Sequence, residues 1–180
     1  MPISNGGGGG GSSPVLQATV TLTDGQIKAL PSTPVEIVAA PGVGQFLVPL
    51  GAWLIIDATA GAYTNFNAPS GTNPYASSVY LAWDALNFFN DALGPAQATG
   101  LLSHAERRVT YLSPVSGNMQ EVGGDLADSS GLVYGDPAIA ALGYDNASLS
   151  VVGQNNALGD FTGGNPANTL KVSIFYAVAA

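Results

Sequence analysis

One histidine, twelve acidic residues and no cysteine are what the 180 residues offer to a reaction. His104 lies in SHAERR, with Ser103 before it and Glu106 and Arg108 following at alternate positions. A histidine near a carboxylate is the minimum for general base catalysis. In a strand, though, His104, Glu106 and Arg108 share one face, and a satisfied surface cluster accounts for them better than a catalytic one does. Adjacency does not make Ser103 a nucleophile, because triads assemble in space and no strand–turn–helix elbow surrounds it. A single histidine without cysteine excludes three-histidine and His/Cys metal sites. In DLADSSG, Asp125 and Asp128, with Asp136 beyond, lack the spacing and final Glu of a calcium-binding loop. Twelve acids form many pairs suited to glycoside hydrolysis, but nothing singles one out. The glycines of GVGQFLVPLG lack the lysine and helix of a phosphate loop. The chain therefore reads as a non-enzyme, with no catalytic residue, no cofactor and no metal ligand.

Composition points the same way. Charged residues make up 9% of the chain, against about 25% in an average soluble domain. The surface must then be largely Gly, Asn, Ser and Thr, which loses little hydration on contact. That suits a protein covered by copies of itself or by partners; a plain neutral β domain is the alternative. The net charge is −8, and Lys28, Arg107, Arg108 and Lys171 are the only cations. A nucleic-acid binder gains affinity by releasing counterions through several Lys/Arg contacts. Four scattered cations do not supply that, so neither nucleic acid nor an anionic membrane is expected as a partner. The longest apolar run, FLVPLGAWLII at 46–56, is broken by Pro49 and Gly51 and falls short of the roughly 18 residues that span a bilayer. No secretory signal is visible in MPISNGGGGGG.

The elements that would position any site are short strands. Two units are expected: a flexible Gly-rich arm over 1–14 and a β domain over 15–180. Six consecutive glycines in NGGGGGGSS have high conformational entropy and nothing to bury. Three readings stay open for them: a tether that orders on a neighbour, a frayed terminus, or a cloning linker. On the first reading, Pro2, Ile3, Pro14 and Val15 are the partner-contact residues. LQATVTL (16–22) alternates as a half-buried strand, and TDG (23–25) reads as a turn. PVEIVAA (34–40) alternates again, with Val35, Ile37 and Ala39 on one side. PGVG (41–44) is a turn with Pro41 at the first corner and Gly42 at the second. QFLVPLGAWLIID reads as two strands meeting at Pro49-Leu50-Gly51. After a polar loop at 58–74, YASSVYLAW (75–83) places Tyr75, Ser77, Val79, Leu81 and Trp83 on one face. DALNFFNDAL (84–93) is the best helix candidate. ATGLLS, RVTYLSPV and SLSVVG are further strands, and 116–146 is loop-rich. In NTLKVSIFYAVAA, Leu170, Val172, Ile174 and Tyr176 alternate with largely apolar partners, which predicts a central strand. About eight such strands with regular turn signals predict an all-β antiparallel sandwich or jelly roll.

The segment IKALPSTPVEIVAAPGVGQFLVPLGAWLIID, with its LP-TP-E-V-APG-G run, and the closing FTGGNPANTLKVSIFYAV resemble small virion structural proteins of tailed bacteriophages. The likeness covers 20–57 and 158–178. It implies a β-sandwich head decoration (cement) protein or a head-fibre protein. As a cement protein it would be an oligomer, often a homotrimer, bound to the major capsid protein on the outer surface of the head in the virion. There it would stabilise the assembled shell by mass action. The alternative is a head- or tail-fibre module that binds host surface carbohydrate through aromatics such as Tyr63, Phe66 and Tyr75. A third reading, a polysaccharide-cleaving β-sandwich, requires two facing carboxylates.

Overall fold

The structure, a computed structural model, describes residues 14–66, 77–83, 101–112, 146–155 and 158–179, and the backbone of 91–97. The elements are β1 (Leu16–Thr23), α1 (Asp24–Ala29), β2 (Val35–Val38), β3 (Phe46–Asp57), β4 (Tyr63–Thr64), β5 (Ser77–Trp83), β6 (Asp91–Gln97), β7 (Arg107–Leu112), β8 (Leu149–Asn155), β9 (Thr162–Gly163) and β10 (Thr169–Ala179). Every strand pairing is antiparallel. Sheet I runs β1-β10-β3-β7 and sheet II runs β2-β8-β5-β6, while β4 and β9 form a two-stranded ribbon. The protein is thus all-β, as its alternating patterns predict.

Alternation also decides the core. Leu22, Leu54, Ile56, Leu170, Val172 and Ile174 from sheet I join Val79, Leu81, Trp83, Leu149 and Val151 from sheet II in one buried cluster. Trp83 Nε1 donates to the Leu47 carbonyl at 3.1 Å, a buried bond from one sheet to the other. β10, apolar on both sides, lies between β1 and β3, which is the central place expected of it.

Several expectations are corrected. β3 is one twelve-residue strand with a bulge, not two strands: Gly51 opposes Phe175 and Pro49 opposes Tyr176, which leaves Leu50 unpaired. Pro49 is tolerated because β7 pairs with β3 only from Ala52 onward, so no ladder bond is asked of the proline nitrogen on that side. Residues 24–29 form α1 where TDG reads as a turn. Thr23 caps it: its hydroxyl accepts from Gln26 N–H, and the Gln26 side chain accepts from Thr23 N–H. That reciprocal box is the T-x-x-Q signal in TDGQ. The turn after β2 spans Gly42–Gln45, with Gln45 N–H donating to Gly42 O. Asn146 clamps it by accepting from Gly42 N–H and donating its own N–H to Gln45 O. Ala39 is exposed, because a bulge lies between Glu36 and Val38. Asp91–Leu93, expected in a helix, begin β6 and pair with β5, overriding helix propensity. The rest of that candidate, 84–90, lies outside the described residues, as do the arm up to residue 13, the loop 116–145 and Tyr75. Leu101 and Leu102, expected in a strand, are buried but lie in none.

Candidate functional site: the open face of sheet I

Register places the outer face of sheet I in cross-strand rows. Thr21, Lys171, Ile55 and Val109 lie side by side; the next row is Thr19, Ser173, Trp53 and Tyr111; the next is Gln17, Phe175 and Gly51. The β1 half is polar, and Thr19 Oγ1 and Ser173 Oγ share a hydrogen bond of 3.0 Å. The β3–β7 half is apolar and open to solvent: Trp53 is 43% exposed, Tyr111 47% and Val109 56%.

β7 explains why. A half-buried strand normally turns its apolar side to the core. Here Leu112 opposes buried Ala52 and sets the register, so Thr110 faces inward opposite Leu54 while Val109 and Tyr111 face out. One residue of slip would invert the strand. The observed register keeps two apolar side chains in water.

Gly51 shapes the middle of this face. Its φ is +155°. A Cβ placed there would stand 2.1 Å from Tyr111 Oη and 2.7 Å from Tyr111 Cζ. The ring of Tyr111 therefore lies across the bare backbone of Gly51, a cross-strand aromatic covering a glycine. Its other neighbour is Trp53, with ring centroids 4.8 Å apart and planes tilted by 52°. The result is a low aromatic platform with the aliphatic Ile55–Val109 pair beside it.

Sheet II contrasts with this. All seven residues of β5 are buried. Tyr80, Ala82 and Val152, on the side away from the main core, make a second buried cluster.

The charges on the open face are also unusual for this chain. Lys171 and Arg107 stand on it against one acid, Asp57, on a chain whose net charge is −8. The hydroxyl and backbone N–H of Thr59 donate to Asp57 Oδ1 at 2.7 and 3.3 Å. These bonds hold the Asp57 carboxyl below its usual range, with Arg107 adding a smaller pull.

A buried polar knot lies at the end of the sandwich where α1 joins the loops around β4 and β9. Asp24 Oδ2 accepts from Lys28 Nζ at 2.7 Å. Tyr63 and Asn168 are buried, and Asn168 Nδ2 donates to Gly61 O at 2.7 Å. The Tyr63 hydroxyl neighbours both Asp24 and Asn168, but Asp24 Oδ1, Tyr63 Oη and Asn168 Oδ1 each lack a well-formed hydrogen bond. One phenolic proton cannot serve two acceptor oxygens at once. Burial pushes the Tyr63 hydroxyl far above the ordinary tyrosine range. Asn155 ties the same loops together: its Oδ1 accepts from Ser77 Oγ at 2.6 Å, and its Nδ2 donates to Asn65 O and Gly159 O. Asn65, itself left-handed at φ +67°, donates to Leu158 O and Asp160 O. Asn65, Asn146, Asn155 and Asn168 thus act as structural clamps among the described residues.

The residues singled out in the sequence are scattered. His104 and Glu106 precede β7 instead of lying in a strand, so the shared strand face does not form. Ser103 Oγ and His104 Nδ1 are 3.0 Å apart, and Arg108 Nε donates to Glu106. His104 and Glu106 are exposed. Of the loop aromatics expected to meet sugar, Tyr63 is fully buried and Phe66 packs on Phe161 with ring centroids 5.4 Å apart. Among the described residues, no three acids or histidines gather as a metal site, and no helix is long and apolar enough to cross a membrane. Pro14 and Val15 are exposed just ahead of β1; Pro2 and Ile3 lie outside the described residues. The open face was missed because Trp53 reads as one more apolar residue of a buried strand, and nothing in RVTYL announces which side faces out.

With this geometry in view, comparison with known proteins adds little. No protein-family model matches the chain, and no curated protein matches it. Among solved structures, the capsid of Ralstonia phage GP4 overlaps 93% of this chain and 84% of that one, at 14% identity and a TM-score of 0.36. An overlap this loose carries no argument about fold or function.

Proposed function

We propose that this chain is a structural protein of a bacteriophage virion, and specifically a capsid decoration (cement) protein on the outer surface of the head. The observation that carries the reading is the open face of sheet I: Trp53, Tyr111 and Val109 are held in solvent by register, on a surface with few ions. Apolar patches of this kind mark interaction surfaces, and the described residues offer no competing assembly of catalytic groups.

The strand order supports the architecture that goes with it. β1 pairs with β10, β2 with β8, β3 with β7 and β5 with β6. Four nested antiparallel pairs of this kind arise when one long hairpin ribbon rolls up into two sheets, the jelly roll found in capsid and lectin domains among others. Fold alone does not assign function; the open face is what supports this reading. The acidity of the chain favours the outside of the shell, because packaged DNA would repel it. The major capsid protein is then its partner, and Pro2, Ile3, Pro14 and Val15 are further contact residues. Mass action supplies the effect: a protein that binds only the assembled lattice stabilises that lattice.

A fibre module that binds host carbohydrate is the second reading, and Trp53 with Tyr111 is what favours it, since exposed rings stack on sugars. Their 52° tilt denies them a common plane, which counts against it. The test is co-sedimentation of the purified protein with phage heads assembled without it, alongside a glycan array. Saturable uptake by heads, reduced at least tenfold by Trp53→Ala, supports cement. Sugar binding lost in Trp53→Ala, with no uptake by heads, overturns it.

A further inference from the structure

We infer that the polar knot between α1 and the β4–β9 ribbon is a binding site for one water molecule, held at once by Asp24 Oδ1, Tyr63 Oη and Asn168 Oδ1. This stands apart from the structural-protein reading and does not depend on it.

The site is built into the fold. Asp24, Tyr63 and Asn168 are 7%, 1% and 1% exposed. They come from three places in the chain: the first turn of α1, the start of β4 and the residue before β10. Two of the three oxygens are fixed by the other polar atom of the same side chain. Asp24 Oδ2 accepts from Lys28 Nζ at 2.7 Å, which leaves Oδ1 over. Asn168 Nδ2 donates to Gly61 O at 2.7 Å, so turning the amide over would set oxygen against oxygen. The Tyr63 hydroxyl neighbours both side chains. The bare backbone of Gly164, left-handed at φ +68°, walls the knot: a Cβ there would collide with Asp24 Oδ1 and stand 2.6 Å from Tyr63 Cε1.

Counting protons identifies the ligand. Asp24 Oδ1 and Asn168 Oδ1 only accept, and the phenol has one proton to give. A water donates to both acceptors and accepts the phenolic proton. That makes three bonds, the usual number for a buried water, and it leaves none of the three oxygens unpaired. A metal cation would also draw three oxygens. However, Lys28 already matches the charge of Asp24, and a second cation would be buried without a counter-charge. The water thereby splices α1 to β4 and to the start of β10.

The test uses the full wild-type chain. A crystal structure fine enough to show solvent should hold one peak within about 2.5–3.0 Å of all three oxygens. In solution, water should cross-relax with the Asn168 side-chain amide with the sign of a long-lived molecule. The phenolic proton exchanges with solvent and imitates that signal. Tyr63→Phe removes this route but keeps two of the three bonds, so the signal should survive it. The melting temperature should be the same in sodium, potassium and tetramethylammonium chloride at equal concentration. The inference is overturned by a crystal structure with no peak between the three oxygens, or by a signal abolished in Tyr63→Phe. It is also overturned by a melting temperature that sodium or potassium alone raises, an effect lost in Asp24→Asn, which would make this a cation site.

Discussion

Gly51 and Tyr111 are coupled, and a double-mutant cycle measures by how much. Gly51→Ala puts a methyl group 2.1 Å from Tyr111 Oη, well inside contact distance. Either the backbone of β3 shifts or Tyr111 swings off the sheet. In the second case the ring gives up its contact with Trp53, worth about 0.5–1.5 kcal/mol, and much of its packing. Tyr111 is 47% exposed, so about half of its roughly 200 Å² is covered. At about 25 cal/mol per Å² that packing is worth about 2.5 kcal/mol, an upper figure because the unfolded chain already hides some surface. An alanine at φ +155° adds about 1–3 kcal/mol of backbone strain. Gly51→Ala should therefore cost at most about 4–7 kcal/mol if every term is felt, and Tyr111→Ala about 2.5 kcal/mol on the packing figure above. The double variant loses the ring only once. Its cost should fall about 2.5 kcal/mol below the sum of the singles. Urea unfolding of the four proteins, followed by tryptophan fluorescence, gives all the terms. Additivity within about 0.5 kcal/mol would refute the idea that Tyr111 rests on Gly51.

Three further outcomes follow from the loops and the face. Asn155→Ala removes buried bonds to Ser77, Asn65 and Gly159; it should cost about 2–4 kcal/mol in chemical denaturation, and a cost below about 0.5 kcal/mol would deny the clamp its role. Tyr63 ionises far less readily folded than unfolded, so its contribution to stability is complete below the unfolded tyrosine pKa and declines as pH rises above it. The loss between pH values of about 10 and 12 should be smaller in Tyr63→Phe; equal pH dependence in the two proteins would contradict the burial of the hydroxyl. Asp57 has the opposite sign: its folded pKa is depressed, so its contribution is present above the unfolded carboxylate pKa and lost as pH falls through the folded value. Thr59→Val keeps the backbone N–H but deletes the hydroxyl bond, so an NMR titration should show the Asp57 carboxyl moving up toward its ordinary value.

What the chain determined by itself is the all-β class and most of the strands. Period-two alternation in LQATVTL, SSVYLAW and TLKVSIFYAV reports burial on a pleated surface, a local property that survives without knowing the neighbour. The T-x-x-Q box was equally local and pointed to a helix at 24–29 that turn composition concealed. Tertiary structure decided the rest. Asp91–Leu93 became strand because β5 offered ladder bonds, and Pro49 stayed inside β3 because β7 stops short of it. Only pairing could turn Val109 and Tyr111 outward, since the same alternation fits either face until Leu112 is placed opposite Ala52. The open face is a consequence of register, and register belongs to two strands at once.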